Sequence, residues 1–138
     1  MSSIGKLISL MECKPFRGRL GEEDRICLEW SNRLRTYTLD GRLAGCWSHI
    51  ANEAGGKGRL AAIQAAKARA LGMIKGTPDF IFTKHDKALW VEAKSVTGSL
   101  SPSQRNFRDW ATSNSIRYAV VRSADDGDKL LKEEGFLL

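Results

Sequence analysis

At 138 residues, 42% of them hydrophobic and 28% charged, the chain is sized for one globular domain that buries its own core without disulfides or metals. No apolar run approaches the ~20 residues a membrane span needs, and Lys6 breaks the N-terminal apolar stretch before a secretory core can form. No membrane association and a cytoplasmic location are therefore expected, and the net charge of +6 favours a polyanionic partner such as nucleic acid without requiring one.

In chain order, residues 1–20 alternate weakly and carry Lys14, Arg17 and Arg19, which fits an edge strand or an arm. The spacing predicts a first helix from about Glu22 to Leu34. On its wheel Ile26, Cys27, Trp30 and Leu34 share one arc, and Glu23 falls near the middle of that arc. Two readings of Glu23 stand: an acid favouring the positive end of the helix dipole, or a carboxylate aimed at something specific. Leu43–Ile50 reads as a strand, and the glycine-rich loop 52–58 that follows carries Lys57. It fits no P-loop pattern, so it reads as a flexible connection. Arg59–Leu71 is an Ala-rich helix with Leu60, Ile63 and Leu71 on one side and Gly72 as its stop.

A hairpin comes next, with strands Phe80–Thr83 and Ala88–Lys94 around the turn Lys84-His85-Asp86-Lys87. Ser101-Pro102-Ser103-Gln104 opens another helix as a capping box with proline in its first turn, and Phe107 and Trp110 lie three residues apart on it. Ile116–Arg122 is a strand, and a short helix closes the chain from about Asp126 to Glu134. The order suggests a mixed sheet with helices on its faces. Of the three cysteines, Cys13, Cys27 and Cys46, none forms a C-x-x-C pair. Cys46 and His49 lack partners for a zinc site, so buried, reduced thiols are expected.

The hairpin poses the chemical question. Strand alternation puts Trp90, Glu92 and Lys94 on one face and Leu89, Val91 and Ala93 on the other. Pairing across the turn brings Asp79, placed by Gly76-Thr77-Pro78, opposite Glu92. Two neighbouring carboxylates repel unless a cation lies between them, and a hard, oxygen-ligated ion such as Mg²⁺ suits that place. A lysine on the same face, two residues on, can hold an attacking water in line with a phosphorus atom and offset developing charge. A salt-bridged cluster of Asp79, Glu92 and Lys94 on a solvated sheet explains the spacing equally well.

Pro78-Asp79 followed by Glu92-Ala93-Lys94 resembles the PD-(D/E)xK nuclease motif. The longer string, with Gly76 before Pro78-Asp79 and Gly98-Ser99-Leu100-Ser101-Pro102-Ser103-Gln104 after Lys94, is similar to the VRR-NUC branch of that superfamily, in its small stand-alone phage and bacterial form. The resemblance covers about Glu22 to Arg122. It implies an α/β, restriction-endonuclease-like mixed sheet flanked by helices, with an α-β-β-β-α-β core into which the Ala-rich helix is inserted.

It also implies roles. Asp79, Glu92 and the Ala93 carbonyl would bind the metal, Lys94 would be the catalytic lysine, and Gln104 would orient the lysine and the phosphate. Glu23, with Glu22 as the other alignment, would be a further metal ligand, direct or through water. Cys27 stands where the family usually has glutamine, and Asn52-Glu53 matches a recurrent pair with no derivable role. The implied activity is Mg²⁺-dependent hydrolysis of DNA phosphodiesters, with Mn²⁺ able to substitute, leaving 5′-phosphate and 3′-hydroxyl ends. Holliday junction resolvases are the precedent, so the expected partners are branched DNA and a second copy of the chain in a homodimer. A general, flap or single-strand nuclease and a non-catalytic nucleic-acid-binding module are the alternatives. Candidate DNA contacts are Lys57, Arg59, Lys75, Lys84, Arg105 and Arg108.

Overall fold

The computed structural model describes residues 3–51 and 57–138. The Asn52-Glu53 pair and most of the glycine-rich loop lie outside the described residues. In chain order the elements are α1 (Ser3–Met11), α2 (Glu22–Leu39), β1 (Cys46–His49), α3 (Arg59–Ala70), β2 (Phe80–Lys84), β3 (Lys87–Ala93), α4 (Pro102–Ser113), β4 (Arg117–Val121) and α5 (Ala124–Glu133). The four strands lie side by side in the order β1-β2-β3-β4. The first three are antiparallel, and β4 joins β3 in parallel after the crossover through α4. This is the mixed α/β arrangement expected from the motif order.

Each face of the sheet has its own core. On one side Phe80, Phe82, Leu89, Val91, Ala93 and Val121 pack against Cys27, Trp30 and Leu34 of α2, Leu130 and Leu131 of α5, and Phe136. Trp30 is the hub, its ring 4.8 Å from that of Phe80 and 5.2 Å from that of Phe82. Helix α5 can approach because Gly127 faces the Trp30 indole, where any Cβ would collide. The approach is then locked by polar contacts. Asp128 accepts hydrogen bonds from Trp30 Nε1 at 3.2 Å, Tyr37 Oη at 2.7 Å and Arg33 Nη1 at 2.9 Å. On the opposite side Phe107 and Ala111 of α4 cover Tyr118, with Trp90 packed against them. The face carrying Trp90 and Glu92 is therefore roofed by a helix and is not solvated.

Three expectations need correction. Residues 3–11 form a helix and not an edge strand: Ile4, Leu7, Ile8 and Met11 recur at helical spacing, and this periodicity prevails over the weak alternation. The strand read from Leu43 to Ile50 shortens to Cys46–His49. Its first half instead reaches the C-terminal segment, with Ala44 N–H donating to Phe136 O at 2.7 Å and a bridge from Leu43 to Leu137. Only Cys27 is buried among the cysteines, because Cys46 falls on the outward side of an edge strand and Cys13 lies in an exposed segment. The Ala-rich helix forms as read, but Leu60, Ile63 and Leu71 on its apolar side are exposed. Among the described residues no helix is long and apolar enough to cross a membrane.

Gly127→Ala sets two effects against each other. Alanine favours a helix interior by about 1 kcal/mol, whereas overpacking a rigid buried indole costs about 1–3 kcal/mol or more. The collision with Trp30 is direct, so the variant should be destabilised by roughly 1–2 kcal/mol in urea denaturation; a midpoint at or above that of the parent would mean that α5 does not dock on Trp30.

Candidate active site

The candidate side chains meet at one end of the sheet, in a cleft of about 600 Å³. Phe80 pairs with Val91 in the β2–β3 register, so Asp79 and Glu92, one step outside that pair, face each other. Ile50 N–H donates to the Asp79 carbonyl at 2.7 Å, which ties the end of β1 to the same point. The Asp79 side chain is oriented by the backbone of β3: Ala93 N–H donates to its Oδ2 at 2.8 Å.

Glu92 is 3% exposed. One of its oxygens, Oε1, accepts a hydrogen bond from Gln104 Nε2 at 2.9 Å, whereas Oε2 is buried with no donor. Burial first, and the Asp79 carboxylate second, raise the Glu92 pKa to about 8, against a smaller lowering influence of Lys94. Gln104 is itself fixed, because its Oε1 accepts from Ser101 N–H at 2.8 Å while its own N–H donates to Ser101 Oγ at 3.2 Å. The capping box that starts α4 thus also aims the amide at Glu92.

Lys94 follows the end of β3 and is 8% exposed, with its Nζ 3.9 Å from Glu23 Oε1. Glu23 reaches it from the first turn of α2, and the half-buried Glu23, not the exposed Glu22, is the inward-facing acid. Five carboxylates (Glu22, Glu23, Asp24, Asp79 and Glu92) and one lysine line the cleft. Cys27 lies on its floor, where burial and then the carboxylate of Asp79 push the thiol pKa up. His49 also lines the cleft.

The VRR-NUC domain family matches residues 17–125, most of the chain. The chain belongs to the VRR-NUC family. A solved structure described as a VRR_NUC domain protein shares its fold, with a TM-score of 0.58 at 16% identity over 84% of this chain and 89% of that one. No curated protein matches. Membership of the VRR-NUC family makes this a nuclease-type domain.

Within the VRR-NUC cleft the structure brings together Asp79, Glu92, Lys94, Gln104 and Glu23. Gln104 contacts the Glu92 carboxylate, so its direct partner is an acid. The basic candidates are scattered. Arg105 is adjacent to Gln104 and donates to Leu100 O at 2.7 Å, and Arg108 contacts Asp109 at 3.2 Å. Arg59 begins α3, Lys57 precedes it, and Lys75 lines a surface groove with Ile74 and Trp110. Lys84 lies a strand's length from the cleft, roughly 17 Å at about 3.4 Å per residue, where its Nζ donates to Gly135 O at 3.1 Å.

Three residues at the site were given no part in it by the sequence. Arg122 Nη1 donates to Ser95 O at 2.6 Å and Gly98 O at 2.8 Å, clamping the loop that leaves Lys94. Cys27 sits one turn after Glu23 on the same helical face, a spacing that was visible. His49 was paired with Cys46, but three residues along a strand place side chains on opposite faces, so it turns towards Cys27 and Asp79 instead.

The raised Glu92 pKa gives a signed prediction for the metal-free protein. Between about 4.5 and about 8 the folded state holds a proton that the unfolded state has released. The stabilisation is therefore complete below the lower value and lost as pH rises through the upper one. Chelator-treated protein should lose on the order of a few kcal/mol from acidic pH to about pH 8.5 relative to Glu92→Gln, by urea midpoint; parallel pH curves for the two proteins would show that Glu92 holds no such proton.

Proposed function

We propose that this VRR-NUC domain is a divalent-metal-dependent endodeoxyribonuclease that selects branched DNA. The observation that carries the reading is the contrast between an acidic cleft and a basic chain. Five carboxylates surround one lysine, in a chain of net charge +6. Such a cleft repels a phosphodiester until a cation occupies it. The donor set fits one: Glu92 Oε2 is buried without a partner, Asp79 has committed only Oδ2 to the backbone, and Glu23 lines the same space. These are hard oxygen donors of the kind Mg²⁺ and Mn²⁺ take, with the Ala93 carbonyl as a further ligand. When bound, the ion would supply positive charge against the negative charge that develops on the phosphodiester during attack.

The chain's own residues account for the remainder. Ala93 N–H and Gln104 hold the two carboxylates in place before any substrate arrives. Lys94, drawn towards Glu23, is sited to orient the attacking water and to stabilise the oxyanion as it forms. The N-termini of α2 and α4 both open onto the cleft, so their free amide ends favour an anion there. Arg105, Arg108, Arg59, Lys57 and Lys75 supply the surrounding contacts to phosphates, with Lys84 reached only by DNA that runs the length of the sheet.

One chain supplies one cleft and cuts one strand at a time. A two-fold dimer puts two clefts on opposing strands of a four-way junction. Helix α1 supports such an interface, because it buries no residue of its own and leaves Ile4, Ile8 and Leu10 exposed.

Lys94→Ala should lower the cleavage rate by ~10²–10³ while DNA binding and the circular dichroism spectrum stay unchanged, since the loss falls on the transition state. A rate within about tenfold of the parent would remove Lys94 from the chemistry. Across linear duplex, single strand, flap and four-way junction with Mg²⁺, the junction should be cut fastest. Ile8→Glu should convert a sedimenting dimer into a monomer and slow paired junction cleavage more than nicking of linear DNA. Equal rates on all substrates would leave a general endonuclease, and salt-sensitive binding without cleavage would leave a binding module.

A further inference from the structure

Cys27, His49 and Asp79 arrive from three elements: the second turn of α2, the end of β1 and the residue before β2. One ligand-capable atom of each lies within 4.8 Å of the other two. Cys27 is buried, Asp79 half-buried and His49 exposed, so the trio runs from the floor of the cleft to its rim. The arrangement is held from outside. Ile50 N–H bonds the Asp79 carbonyl at 2.7 Å, and the His49 ring lies edge-on against Phe80, centroids 5.1 Å apart.

The donor chemistry differs from that of the Asp79–Glu92 pair. Thiolate and imidazole are poor ligands for Mg²⁺, whereas sulfur, nitrogen and carboxylate oxygen with one open position make a mixed set that Zn²⁺ takes readily. In a tetrahedral zinc site, ligand atoms stand roughly 3.3–3.8 Å apart. Closing from 4.8 Å or less asks for a shift of about 1 Å, which falls to the exposed His49 turning against the edge of Phe80. We infer that Cys27, His49 and Asp79 form a second cation site in the cleft, selective for Zn²⁺ and exclusive with a hard cation at Asp79 and Glu92. Exclusion is inferred from Asp79, which both sites share: Ala93 N–H already holds its Oδ2, and two divalent ions on one carboxylate repel each other. Zinc takes the sulfur as thiolate, and the thiol proton leaves to solvent. That zinc would thereby silence cleavage rests on the nuclease reading; the site itself does not.

The test uses the metal-free protein with Cys13→Ser and Cys46→Ser, which leaves Cys27 as its one thiol. Titration with Co²⁺ should produce a near-ultraviolet thiolate-to-cobalt charge-transfer band and the strong visible bands of a tetrahedral site, both erased by Zn²⁺. Cys27→Ser should lose the charge-transfer band. His49→Ala, a change at an exposed position that leaves the core intact, should weaken Co²⁺ binding by roughly tenfold or more. Absence of the charge-transfer band, or Co²⁺ affinity unchanged in His49→Ala, overturns the site. Exclusion is read separately: Zn²⁺ added to Mn²⁺-loaded protein should release free Mn²⁺, seen by electron paramagnetic resonance, and retention of Mn²⁺ beside bound Zn²⁺ overturns it. No readout involves DNA, so a failure here leaves the nuclease reading standing, and a protein inactive on DNA leaves the zinc site standing.

Discussion

The register of one hairpin governs the site. Lys84 pairs with Lys87 around a two-residue turn at His85-Asp86, two residues tighter than the loop read from sequence, and each later pair follows from that one. At the far end the register leaves Asp79 opposite Glu92, with Ala93 N–H in reach of the aspartate. A slip by one residue would turn Glu92 into the Trp30 core and bring Val91 to the cleft. The aromatic cluster of Trp30, Phe80 and Phe82 opposes that slip, since it accepts only the apolar side of the strands.

Burying a carboxylate on a central strand is costly unless it is paired or protonated. The fold meets the cost with one amide from Gln104 and a carboxyl pKa that burial raises, and it leaves Oε2 of Glu92 without a donor. Nothing in the packing calls for an acid there; an apolar residue would suit the neighbouring Tyr118 and Val120 better. The same economy recurs in α4, where a single glutamine both terminates the backbone of the helix and fixes the acid. Helix start and site geometry are therefore one constraint.

How far the sequence was legible follows from how local each signal is. The α2 face, the hairpin and the capping box at Ser101 and Gln104 rest on patterns within a few residues, and each forms, though α2 runs on to Leu39 and the hairpin turn is tighter than read. The Asp79–Glu92 approach needed only the assumption of pairing across a turn. Helix α1 was misread although its 3-4 spacing was present, because a short segment of alternating and periodic apolar residues satisfies both templates until packing decides. The exposed side of α3 had no local signal at all: a sequence shows that a face is apolar, not that anything covers it. Likewise Cys27 and His49 are brought together by α2 docking on the sheet, a tertiary event that no spacing encodes. Arg122 belongs to the same class, since it acts by gathering carbonyls from a loop more than twenty residues earlier.

The two cores are unequal, and that has a thermal consequence. Among the described residues fourteen apolar side chains are buried on the Trp30 side of the sheet and three on the α4 side. Local opening follows the least-packed layer, so α4 should lift from the sheet at a free energy well below that of global unfolding. Each such excursion carries Gln104 away from Glu92 and admits water to the carboxylate, while strands and α2 remain in place. Thermal loss of the site's geometry is then a property of its thinnest layer, and it should begin while the bulk of the chain still registers as folded.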